Sequence, residues 1–292
     1  MSEQLIPDPR APLTPSGNLR RRQLVSRAAE LAATAAAVTA VTVLAIVIWT
    51  VASRGIKAID LDFVFTGYPT GIGPMLLGTI VISLVATSMA MPIGVLIALS
   101  LTEYAGAKGV RGMKLVLDLL NGLPSIVLGL FVFALLVDHK QQSGFAGAVA
   151  LAIIELPLIA RGSQEVLLLV PQSLREASDA LGVARWRSVL TVVLPTALGG
   201  IVTSTVLAVA RAAGETAPLI LASSVFDPKS FTLNPFESMP NVPVWIYKLS
   251  EEGNPEGFTE AWGMSLLLVS FILLASLGAR ALLARSKRKL SS

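Results

Sequence analysis

Apolar residues in this chain come in blocks long enough to cross a lipid bilayer, at about 28–51, 73–101, 115–137, 144–160, 196–223 and 262–283. A helix rises about 1.5 Å per residue, so about 20 apolar residues traverse the hydrocarbon layer. The rest of the composition follows from that constraint. Only 14% of the 292 residues are charged, against about 25% in a soluble domain, and the mean hydropathy is +0.71. A charged surface cannot cover such a chain, and lipid must solvate much of it. The expected fold is therefore all-α and polytopic, with about six transmembrane helices.

The net charge of +4 would suggest nucleic acid in a soluble protein. Here the cations gather at the ends of the apolar blocks instead. Of the 23 Lys and Arg, seventeen lie on one set of flanks, among them Arg20, Arg21, Arg22, Arg27, Lys108, Arg111, Lys114, Arg161, Arg175, Arg185 and Arg187. Five lie on the opposite flanks, namely Arg54, Lys57, Lys140, Lys229 and Lys248, and the alternation holds loop by loop. Cytoplasmic loops carry the excess of Lys and Arg, which puts both termini in the cytoplasm.

Residues 1–27 read as a disordered cytoplasmic tail, with Pro7, Pro9, Pro12 and Pro15 in a short stretch. The first apolar run is too long for a signal peptide and reads as a retained helix. Residues 286–292 read as a basic tail. There is no cysteine, which excludes disulfides, thiolate metal sites and cysteine nucleophiles. A single histidine, His139, argues against a metal site or a Ser-His-Asp triad. No phosphate-cradling Gly-x-x-x-x-Gly-Lys-Ser/Thr segment occurs. The segment 224–261 is rich in proline and aromatics, including Phe226, Phe231, Phe236, Trp245, Tyr247 and Phe258. It reads either as a compact cap or as a set of side chains at the membrane interface.

The segment 171–195 is the most informative. Pro171 stops what precedes it; Ser173 and Glu176 have capping-box spacing. Leu174, Ala177 and Leu181 share a helix face, and Gly182 is placed to end the helix in a left-handed conformation. Pro195 is expected to open the fifth membrane helix. Such a short, two-sided helix suits a groove on a partner protein better than a lipid surface.

Three pairs of residues attract attention for their chemistry. Arg211 and Glu215 are four apart, hence on one helix face, and each costs about 3 kcal/mol at the centre of a helix in lipid. They read either as a pair facing an anion on a translocation path or as an ion pair tying two helices together. Gly214 between them permits a bend, and Thr216 either donates to an anion or bonds back within the helix. Pro124 and Ser125 interrupt the third block, as a bend lining a path or as a packing kink. Glu155 and Pro157 are expected to break the fourth helix, with Glu155 paired internally.

These segments carry a resemblance. Glu176-Ala177-Ser178, three residues, Gly182, nine residues, then Val192-Val193-Leu194-Pro195 resembles the EAA loop of ABC importer permeases. Ala208 to Pro218, reading Ala-Val-Ala-Arg-Ala-Ala-Gly-Glu-Thr-Ala-Pro, resembles the signature of phosphate importer permeases of the PstA type, as do Gly122 to Phe131 and Val242 to Tyr247. The resemblance covers about residues 60–285. It implies a type I ABC importer (MetI-like) fold over residues 28–285, in the bacterial cytoplasmic (inner) membrane. Glu176, Ala177 and Gly182 would then couple to an ATPase, and Arg211, Glu215, Thr216, Pro124 and Ser125 are candidates for the translocation path. The chain itself would catalyse nothing and hold no cofactor, ATP and Mg being bound by a dimer of separate PstB-type ATPase subunits. The other implied partners are a second homologous permease of the PstC type and an extracytoplasmic phosphate-binding protein of the PstS type. The alternatives are a permease for another oxyanion, such as molybdate or sulfate, and an ion-driven secondary transporter, which would need paired broken helices holding coupling ions.

Overall fold

The computed structural model describes residues 19–104, 106–138, 141–223 and 231–290, and every regular element among them is helical. The chain divides into two compact units, Met1–Thr50 and Val51–Ser292. The first holds most of α1 (Leu19–Gly55). No glycine or proline interrupts residues 19–54, and Leu, Arg, Gln and Ala are good helix formers. The helix therefore starts at Leu19, and residues 19–27, expected as part of a disordered tail, are helical. The rest of that tail, residues 1–18, lies outside the described residues. The hydroxyls of Thr34, Thr39 and Thr42 donate to carbonyls four residues back, so an apolar helix carries them without unsatisfied groups.

The second unit comprises α2 (Leu61–Phe65), α3 (Gly73–Leu99), α4 (Ala107–Gly122), α5 (Ser125–Val132), α6 (Gly144–Leu168), α7 (Gln172–Ala180), α8 (Arg185–Ser188), α9 (Leu194–Ala212), α10 (Ala217–Ala222), α11 (Val242–Glu252) and α12 (Pro255–Leu290). Three π-helical turns occur among them. Ser100–Tyr104 extends α3, Phe133–Val137 extends α5, and Val189–Val193 joins α8 to α9. Among the described residues five helices are long and apolar enough to cross a membrane, or six if α4 and α5 count as one bent span.

The centre of this unit is the pair α3 and α6, with α9 packed on α6 and α12 on α9. Ala86, Ala90, Ala98, Ala148, Ala150 and Ala160 are all buried, because small side chains let membrane helices approach closely. One sequence expectation fails here. Glu155 and Pro157 do not break the fourth helix, since α6 runs unbroken from Gly144 to Leu168. A proline removes one backbone donor, and packing on both sides of α6 holds its helix together around that loss. Pro195 lies in the first turn of α9, as expected, although no break precedes it and the span runs continuously from Arg185 to Ala212. The π-helical turn ahead of Pro195, with Leu194 N–H bonded to the Val189 carbonyl, absorbs the irregularity.

Segments 52–72 and 231–261 close one end of the unit. Asp60 caps α2 by accepting from the Phe63 amide at 2.7 Å. Asn241 caps α11, accepting from the Val244 amide and donating to Ser223 Oγ at 2.8 Å. Thr79 of α3 accepts from the Val242 amide at 2.9 Å. Beneath these bonds Phe63, Ile72, Met75, Val242, Trp245, Leu249 and Met264 form one buried cluster. The aromatics thus divide into two groups. Trp245 belongs to a core, whereas Phe231, Phe236, Tyr247 and Phe258 are exposed. Phe226 and His139 lie outside the described residues.

Candidate functional site

The helix expected after Pro171 is present as α7, but its cap differs from the expectation. Pro171 itself is the N-cap, with its carbonyl accepting from the Leu174 amide at 3.2 Å, and Ser173 lies inside the first turn, so no capping box forms. The helix ends as expected. Gly182 has φ of +68°, a conformation that costs glycine nothing. Its amide bonds to the Asp179 carbonyl at 3.0 Å and the Val183 amide to the Ser178 carbonyl at 3.1 Å, the paired bonds of a Schellman motif.

Ser178 is the buried residue of α7. Leu174, Ala177 and Leu181 all face outward, Leu181 at 82% exposure, and Glu176 is exposed beside them. Trp186 of α8 is 56% exposed. A bare apolar strip flanked by charge is what a helix presents to a groove on another protein.

Arg175 points the other way. Its guanidinium donates from Nε and Nη2 to Glu103 Oε1 at 3.2 and 2.9 Å, from Nη1 to the Val170 carbonyl at 2.7 Å, and from Nη2 to the Leu167 carbonyl at 2.9 Å. A cavity of about 510 Å³ adjoins this pair, lined by Thr102, Pro171, Gln172 and Arg185 among others. Neither Glu103 nor the role of Arg175 was legible in the sequence. The partners are 72 residues apart, and no local pattern links them.

The remaining candidates cluster around two broken helices. The third apolar block is interrupted at Leu123 and Pro124, and its halves, through α4 and α5 with its π-helical extension, meet at 95°. Pro124 is the N-cap of α5 and Ser125 its first residue. The second break corrects an expectation. The fifth helix ends at Ala212; Ala213 and Gly214 form a turn, and α10 begins at Ala217. Pro218 lacks a donor and its ring would strike the carbonyl of residue 214 in a continuous helix. Arg211 and Glu215 consequently lie on opposite sides of a break rather than on one helix face. They form no ion pair with each other, whereas Arg161 pairs with Asp118 and Arg175 with Glu103. Arg211 is exposed, and Glu215 and Thr216 are half-buried.

The halves beyond the two breaks pack on each other, α5 against α10. Gly129 permits this; a Cβ there would sit 2.6 Å from Pro218 Cα. The structure therefore brings Pro124, Ser125, Glu215 and Thr216 to the ends of two short helices in contact, while Glu176, Ala177 and Gly182 stand on a separate surface. Glu155, expected to pair internally, is fully buried, with Thr87 Oγ1 3.0 Å from its Oε2.

An all-helical polytopic chain with broken spans, and an exposed two-sided helix between two of them, has the build of a membrane transport permease. The chain belongs to the family of binding-protein-dependent transport system inner membrane components, whose family model matches residues 90–292. It is similar to the phosphate transport system permease protein PstA of Xylella fastidiosa, at 36% identity over 92% of this chain and 96% of that protein. It is 40% identical to PstA 1 of Mycobacterium tuberculosis over 79% of this chain and 74% of the relative. Its fold matches the permease of the MetNI methionine ABC transporter in an inward-facing conformation, with a TM-score of 0.60, at 21% identity over 72% of this chain and 93% of that one. The chain is thus a multi-pass inner-membrane permease component of an ABC transporter, working with a separate ATPase and a binding protein.

Proposed function

We propose that this chain is the PstA-type permease subunit of an ATP-driven importer of inorganic phosphate, forming half of the pore with a second, homologous permease of the PstC type. The observation that carries this reading is the segment Arg211 to Pro218. It stands at the break between α9 and α10, in a chain whose nearly full-length relatives are phosphate transport permeases. A guanidinium offers paired donors to a phosphate and stays charged at any physiological pH. In this reading a PstS-type extracytoplasmic protein delivers phosphate, which crosses past Arg211. Glu215 offsets the guanidinium when no anion is present, and Thr216 and the bend at Pro124 and Ser125 border the path. Two PstB-type subunits hold ATP and Mg. Glu176, Ala177 and Gly182, in the coupling loop 171–195, dock on one of them. Both termini face the cytoplasm.

The test is uptake of radiolabelled phosphate into vesicles by the complete transporter, with molybdate and sulfate as competitors. The expected result is ATP-dependent phosphate uptake that neither competitor suppresses. Accumulation of molybdate or sulfate instead would make the chain a permease for another oxyanion. Uptake driven by an ion gradient without ATP would make it a secondary transporter.

A further inference from the structure

Glu103 sits in the π-helical turn that ends the α3 span and is 5% exposed; Arg175, on α7, is 17% exposed. The arginine uses three nitrogens for four bonds, two to the carboxylate, one to the Leu167 carbonyl in the last turn of α6 and one to the Val170 carbonyl just beyond that helix. The Leu167 carbonyl is one of the last four of α6, which lack the usual i+4 partner and carry the negative end of the helix dipole; it also accepts from the Val170 amide at 3.3 Å. One guanidinium therefore joins three elements: the loop helix, the end of α6 and the end of α3. A second contact runs alongside, with the Arg185 guanidinium 5.6 Å from the centre of the Tyr104 ring. Beneath both, Ala98, Leu99, Leu167, Val170, Val189 and Val193 form a buried cluster. A lysine could not replace this arrangement, because an ammonium lacks the planar fork that reaches carboxylate and carbonyls together.

We infer that the Glu103–Arg175 pair is the latch through which movement of α7 reaches the membrane helices, so that α7, the end of α6 and the end of α3 travel as one body. Arg175 is a positioning residue: its guanidinium faces inward, while the exposed side of α7 is free for a partner. The inference rests on the reading of α7 as the docking helix for the ATPase.

Two measurements test it on the complete transporter, with its ATPase, partner permease and binding protein. The first is phosphate uptake per ATP hydrolysed. Glu103→Gln keeps the size of the side chain and removes its charge, and Arg175→Lys keeps the charge and removes the fork. Each is expected to lower uptake per ATP by about tenfold or more, because a buried charge loses its partner or its geometry, while the ATPase still co-purifies. The second reads the latch without activity. The chain has no cysteine, so spin labels at Gly106→Cys and Gln172→Cys report the distance from the end of α3 to the start of α7. The expected distribution is narrow and unchanged between nucleotide-free and ATP-trapped states, and broad in Glu103→Gln. A distance that differs between the two states in the otherwise unaltered chain would overturn the latch, as would unchanged uptake per ATP in both variants. Absence of any cross-link from Leu181→Cys to the ATPase would instead overturn the docking reading on which the latch rests.

Discussion

Arg211 and Glu215 show what a residue pattern reveals and what it conceals. Two ionisable residues inside a 28-residue apolar stretch are too costly to face lipid, and their interest was legible from that cost alone. Their geometry was not, because i and i+4 share a face only in an unbroken helix, and Pro218 with Gly214 breaks this one. The break parts Arg211 from Glu215, which make no ion pair with each other, and leaves Arg211 exposed at the end of α9. If Arg211 meets the anion, Arg211→Lys is expected to lower phosphate uptake about tenfold and Arg211→Gln about a hundredfold, the range of one or two charge-assisted hydrogen bonds. The double variant Arg211→Gln/Glu215→Gln should remain as inactive as Arg211→Gln at equal membrane abundance. Recovery of uptake in the double variant would mean that the two charges matter only to each other.

At the scale of elements, hydropathy located the spans because it is a local property of each block. Five of the six blocks correspond to long helices, and Pro124 marked the bend in the remaining one. The π-helical turns and the contact of α5 with α10 were not legible, since both arise from how helices press on each other. That contact depends on Gly129, where a Cβ would press on the backbone of Pro218. Neither helix end can yield easily, because each follows a break whose direction the adjoining segments hold. Gly129→Ala is therefore expected to destabilise the protein by about 1–3 kcal/mol, the usual cost of an overpacked contact, and to lower its thermal midpoint in detergent. Gly112→Ala in α4 is the control. Nothing lies within 4 Å of a Cβ there, and alanine is the better helix former by about 1 kcal/mol. An equal fall in both variants would show that the loss at Gly129 has nothing to do with Pro218.

Over the whole molecule the charge distribution and the fold make one prediction together. The loop helix α7, with Arg175, Arg185 and Arg187 on or beside it, and the start of α4, with Lys108 and Arg111, belong to the cation-rich flanks. The end closed by α2, α11 and the 231–241 segment carries Asp60, Asp62, Glu237, Glu251 and Glu252 instead. At that end Thr232 and Asn234 hydrogen-bond to Glu237 and hold its carboxyl below the usual range. Asymmetry of this kind orients a chain at insertion because Lys and Arg near the spans are retained in the cytoplasm, whereas Asp and Glu contribute little. In the proposed reading α7 must meet a cytoplasmic ATPase, which only one of the two orientations allows, and the charge bias is expected to select that one. The cysteine-free background allows a direct check with single substitutions and a membrane-impermeant thiol reagent. Glu252→Cys, exposed at the end of α11, is expected to react in intact cells. Arg22→Cys and Arg187→Cys, also exposed, are expected to react only after lysis. Reaction of Arg187→Cys in intact cells would put α7 on the outer face, where no ATPase could reach it, and would remove both the orientation and the coupling role built on it.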